Sequence, residues 1–130
     1  MIPTRNFGSK VWAFAAGHIP LSSTGPEPGF TSHDKVSILN VTDQDASVRI
    51  EVFYEDKAPV GFREVVVKSR RVRKIRFNDL IDPFPVPLNV PFGFLIESDV
   101  AVIVQFSRMN TTQKPMATFC VTPYSRKNNS

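Results

Sequence analysis

Apolar and polar positions alternate with a period of two over much of the chain. Val48, Ile50, Val52 and Tyr54 interleave with Arg49, Glu51 and Phe53, the pattern of a strand with one buried face. The spacing predicts further strands at Lys10–Ala16, Phe62–Lys68, Arg71–Phe77, Phe92–Glu97 and Ala117–Thr122; in the second of these Val65–Val67 is β-branched throughout. Val36–Val41 and Val100–Phe106 are near-continuous apolar runs, which predicts central strands covered on both faces. Glu55–Gly61 carries Asp56, Pro59 and Gly61 and reads as a hairpin-like connection. That makes about eight strands at the spacing of an antiparallel β-sandwich, an all-β, single-domain fold. No helical period persists, and a single turn fits at Asn78–Ile81 before Pro83 ends it.

Two segments interrupt this rhythm. Ile19–Ser32 holds Pro20, Pro26 and Pro28, and Asn78–Pro91 holds Pro83, Pro85, Pro87 and Pro91. Loops of this length, stiffened by proline, either suit preformed recognition or interface surfaces or simply cover the ends of the sandwich, and Phe84, Phe92 and Phe94 are read as exposed there to a neighbouring copy. The domain is expected to span residues 1–125, with 126–130 as a frayed tail.

Composition narrows the class. The 42% hydrophobic and 22% charged content is that of a globular chain. A single cysteine, Cys120 in an apolar strand, excludes an internal disulfide and reads as a packed thiol. The N-terminal apolar stretch Val11–Ala16 is too short for a secretory segment, and no run approaches a membrane helix. The expected setting is cytoplasmic, without membrane insertion. His18 and His33 lack metal-ligand spacing, and no nucleophile elbow or phosphate-binding glycine loop is present. The reading is therefore a non-enzymatic protein with no cofactor and no metal.

The net charge is only +4, but its distribution is uneven. Lys68, Arg70, Arg71, Arg73, Lys74 and Arg76 crowd into nine residues. In an extended chain Lys68, Arg70, Lys74 and Arg76 share one face around Val72, and Arg71 and Arg73 share the other with Ile75. A strand charged on both faces cannot lie in the core. It reads as an edge guarded against wrong pairing, or as a contact for nucleic-acid phosphate, DNA included, or for an acidic protein. Elsewhere Asn40 and Gln105 interrupt apolar runs, and a buried amide needs hydrogen-bond partners, among them a ligand hydroxyl. Arg76, Asn78 and Asp79 stand where the basic strand meets the second proline-rich loop, and Trp12 offers the flat surface on which sugar rings stack. Internal amide pairing and local turn capping are the structural alternatives.

These motifs occur in a telling order: Val11-Trp12-Ala13, Gly25-Pro26-Glu27-Pro28 with Phe30 and Ser32-His33, then Ile38-Leu39-Asn40. Tyr54-Glu55-Asp56-Lys57, Pro59-Val60-Gly61, Arg76-Phe77-Asn78-Asp79-Leu80, Val104-Gln105 and Arg108 follow. Over residues 10 to 113 the chain resembles the sensory rhodopsin transducer family. The resemblance implies a β-sandwich similar to carbohydrate-binding folds, a homotetramer, and docking at the cytoplasmic face of a membrane receptor. It also implies a pocket for a small polar ligand, plausibly a sugar, lined by Trp12, Glu27, His33, Asn40, Arg76, Asn78, Asp79, Gln105 and Arg108. It further implies an acidic residue at position 16 and a histidine at 106, where this chain has Ala16 and Phe106.

Overall fold

The computed structural model describes residues 7–19, 33–62, 64–80, 85–110 and 117–126. Among them nine strands form: β1 (Ser9–Gly17), β2 (His33–Asn40), β3 (Ala46–Tyr54), β4 (Val60–Gly61), β5 (Val65–Val67), β6 (Arg71–Arg76), β7 (Phe92–Asn110), β8 (Ala117–Val121) and β9 (Tyr124–Arg126). Among the described residues helix is confined to one 3-10 turn, Phe77–Asp79, where the sequence allows one turn and no more. The fold is an all-β antiparallel sandwich.

One strand serves both layers. The first half of β7 lies between β3 and β1, with Ile96 opposite both Ile50 and Trp12. Its second half lies between β2 and β8, with Phe106 opposite both Val36 and Val121. Sheet I is thus built of β4 and β5, β3, β7, β1 and β9, and sheet II of β6, β2, β7 and β8. The sequence reading takes Phe92–Glu97 and Val100–Phe106 as separate strands because Ser98-Asp99 breaks the apolar run. The structure bends a single strand there instead. Against β1, Glu97 opposes Val11 and Val102 opposes Ser9, so the β7 chain carries extra residues at the bend. Two polar side chains finish this corner: the Asp99 carboxylate accepts the Ser47 N–H at 2.8 Å, and Ser98 Oγ accepts the Val100 N–H at 3.3 Å.

The rings prove how sharp the bend is. Phe94 and Phe106 are twelve residues apart on β7, roughly 40 Å in a straight strand, yet their centroids are 5.9 Å apart. Phe14 stacks between the layers, 4.0 Å from Phe106 and 5.6 Å from Phe94. Phe77, which follows β6, closes on Phe94 at 4.9 Å and Phe92 at 5.2 Å. Phe92 and Phe94 are therefore core residues and not the exposed pair that their neighbouring prolines suggest; they belong to a strand whose inward phase they fill. Phe84 lies outside the described residues.

Three further elements differ from the sequence reading. The expected strand Phe62–Lys68 starts earlier and is split into β4 and β5. Glu51 opposes Gly61 whereas Val48 opposes Val65, so four steps face three and a bulge lies between them. β2 and the second half of β7 are central in sheet II but covered on one face only: Val36, Ile38, Val104 and Phe106 are buried, while Leu39 is 37% exposed and Gln105 is exposed. Finally, β9 reaches Arg126, which pairs with Val11, one residue into the segment expected to fray.

Candidate functional site

Of the nine residues expected to line a pocket, Trp12, Asn40 and Arg108 spend their polar atoms inside the fold. Trp12 is 5% exposed, and its indole N–H is shared between the carbonyls of Ser9 at 3.0 Å and Val102 at 3.1 Å. That ring is core material clamping the β7 bend, and it presents no face on which a sugar could stack. Asn40 is fully buried and saturated. Its Nδ2 donates to Gln44 O at 2.7 Å and Val67 O at 3.0 Å, while its Oδ1 accepts from Thr42 N at 3.0 Å and Thr42 Oγ1 at 2.7 Å. This amide closes the β2–β3 turn and ties it to β5, which is the internal pairing weighed as the alternative.

Arg108 is held in the same way, by a partner the sequence reading misses. Asp34 is completely buried and accepts Arg108 Nε at 2.8 Å, Arg108 Nη2 at 3.1 Å and the His18 N–H at 2.7 Å. Arg108 Nη2 also donates to Ala16 O, and its guanidinium lies 5.7 Å from the Phe106 centroid. Sheet I is thereby pinned to sheet II. The missed signal was phase: Asp34 is two residues before Val36 and Arg108 two after Phe106, so both charges lie on the inward register of neighbouring strands. His33 pairs with Met109 in the ladder, its side chain being outside the described residues, as is Glu27. Asn78 and Asp79 sit in the 3-10 turn after β6.

The basic run is divided by the fold. Arg70 has φ 57°, a left-handed conformation, so Lys68 and Arg70 belong to a turn and not to the extended face expected for them. That turn meets the acidic β2–β3 loop. Arg70 Nη2 is 2.9 Å from Asp43 Oδ1, and Lys68 Nζ is 3.6 Å from Asp45 Oδ2, exposed pairs worth at most about 1 kcal/mol each. Arg71 Nη1 donates to Arg70 O at 3.1 Å, and Arg73 Nη1 crosses to Val66 O of β5 at 3.0 Å. Neither meets a carboxylate among the described residues.

What remains open is the outer face and rim of sheet II. β6 pairs with β2 alone among the described residues. Directly across that pairing Lys35 faces Arg76, Ser37 faces Lys74 and Leu39 faces Val72; on the other side of β2 stand Ser107, Gln105 and Ile103. Residues directly opposite share a face, so Lys35, Lys74, Arg76 and Gln105 lie together on the outer surface. No carboxylate pairs with these cations among the described residues, and the Lys35–Arg76 juxtaposition opposes like charges. Arg76 Nε is buried with no hydrogen-bond acceptor among the described residues. Sequence reasoning selects Arg76, Lys74 and Gln105 and misses Lys35, which joins them only through register. A separate depression of about 390 Å³ beside the β7 bend, with Lys10, Ser47, Arg49, Glu64, Glu97 and Asp99 in its wall, contains none of the expected ligand residues.

Three comparisons with known proteins concern the chain as a whole. The family model described as Anabaena sensory rhodopsin transducer matches residues 7–125. Among solved structures, the Anabaena sensory rhodopsin transducer is 46% identical, with a TM-score of 0.71 over 78% of this chain and 89% of that one. The Thermotoga maritima protein 1070 is 27% identical, with a TM-score of 0.80 over 94% of this chain and 98% of its own. A search of the curated proteins gives no match.

Proposed function

The chain belongs to the Anabaena sensory rhodopsin transducer family, and from that premise we propose that it is a non-catalytic signalling adaptor whose partner is a sensory-rhodopsin-type receptor, met at the receptor's cytoplasmic face. The observation carrying this reading is the 46% identity to a transducer named for such a receptor, sustained over 78% of the chain. The working assembly is a homotetramer, and light scattering at micromolar concentration should return four times the 14.6 kDa chain mass. The direct test is binding of the purified chain to a sensory rhodopsin in lipid nanodiscs. Saturable binding is expected; none at about 100 µM, an energy below about 5.5 kcal/mol, rejects the receptor.

The adaptor also reads a small polar ligand on the outer face of sheet II, where Arg76 and Gln105 supply a cation and an amide. Trp12, Asn40 and Arg108 are committed to the fold and drop out of the contact set. A thermal-shift panel of neutral and phosphorylated sugars tests this. A ligand at one hundred times its Kd stabilises by about 2.7 kcal/mol, and Arg76→Ala should abolish that shift while leaving the unliganded melt in place. A panel without any shift removes the ligand from the proposal and leaves the receptor untouched.

A further inference from the structure

We infer that the free rim of β6 takes an acidic, extended peptide as an added strand of sheet II. This goes beyond the reading above and stands whether or not the partner is a rhodopsin. Three observations carry it. β6 is hydrogen-bonded on one side only among the described residues, so half of its backbone donors and acceptors face outward, and such a row is a template for another strand. Arg71, Val72, Arg73 and Lys74 are all exposed, Val72 at 56%, and the bond from Arg73 to Val66 O of β5 is made by its side chain, not by the β6 backbone. And the cations flank it on both sides: Lys74 and Arg76, with Lys35 behind them, on the outer face, and Arg71 and Arg73 on the inner one.

Charge decides which strand fits. A second copy pairing through its own β6 would bring the same cations and be repelled, which is how edge charges prevent edge-to-edge pairing. The same charges select a partner whose side chains are acidic on both faces, as alternating positions of an added strand would present them. Duplex nucleic acid is the weaker fit. Lys68 and Arg70, which would lengthen the basic track, are already paired to Asp45 and Asp43, and the remaining cations cover only the span of a six-residue strand, whereas phosphate binding gains from many neutralised charges. Val72 gives the added strand one apolar contact beside its charges.

The probe is a fluorescein-labelled peptide of about nine residues, the length of a long strand, in which Glu-Glu pairs, one glutamate to each face, are separated by valine and threonine. Its control has the same charge with two central residues replaced by proline, which removes the N–H groups an added strand must donate. Fluorescence anisotropy should show saturable binding of the first peptide and about tenfold weaker binding of the second, a difference of about 1.4 kcal/mol. Amide exchange in Arg71–Arg76 should slow on binding. Arg71→Glu/Lys74→Glu should lose about the same factor with an unchanged melting curve, since neither side chain holds another element in place. Equal binding of the proline peptide would reduce the contact to unspecific charge and overturn the inference. So would tighter binding of an oligothymidylate of equal charge, or no binding at low salt.

Discussion

Asn40 and Gln105 are amides set into similar apolar runs, and the fold uses them in opposite ways. Asn40→Leu removes four hydrogen bonds from a buried turn and leaves Val67 O and Thr42 N without their partner; chemical denaturation should show a loss of about 1–3 kcal/mol. Gln105 is exposed on the outer face of sheet II, and Gln105→Leu should stay within about 0.5 kcal/mol of the parent. Asp34→Ala is expected to cost more than either, about 3–5 kcal/mol, because it strands the Arg108 guanidinium and an orphaned His18 N–H at once. Tyr54 gives a milder effect at high pH. Partial burial raises its phenol above the ordinary tyrosine value, so the folded state keeps a proton that the unfolded chain gives up. Its contribution is therefore complete below about pH 10 and is lost as pH rises through the folded value. Tyr54→Phe should flatten that part of the alkaline stability profile and leave the neutral range unchanged.

At the level of elements, the period of two locates most strands, because each strand has one wet face and one dry one. Its failures have particular causes. Ser98-Asp99 resembles a turn since both residues are polar, yet their side chains cap backbone N–H groups within a continuous strand. β9 was illegible because Tyr124-Ser125-Arg126 is short, exposed and preceded by proline; its only qualification is a place beside β1. The place of three residues expected in a pocket was illegible for a related reason. Residue type says that Trp12, Asn40 and Arg108 need polar partners, but not whether a ligand or the chain supplies them, and here the chain does. Gly8 marks a further constraint that composition hides. It has φ 91°, and a Cβ there would stand 2.1 Å from Val102 O, the same carbonyl that accepts the Trp12 N–H. Gly8→Ala should thus destabilise the fold by more than ~1 kcal/mol and loosen the indole. A red shift of the Trp12 fluorescence at unchanged far-ultraviolet circular dichroism would report it.

For the molecule as a whole, the ordering of charge matters more than its sum of +4. The acidic β2–β3 loop neutralises the turn at Lys68 and Arg70 and leaves the rim of β6 bare, while no helix among the described residues is long and apolar enough to cross a membrane. The sharing of β7 between the layers has another result, which concerns how the chain acquires its shape during synthesis. β1, β2 and β3 each take β7 as a neighbour, and β7 begins only at Phe92. A ribosome therefore releases about two thirds of the chain before the strand that joins its parts exists, and the early strands wait with their apolar faces uncovered. Neither layer can mature ahead of the other. Folding should consequently be late, slow for the chain's length and cooperative, and chains ending before Phe92 should remain protease-sensitive throughout, with no surviving half.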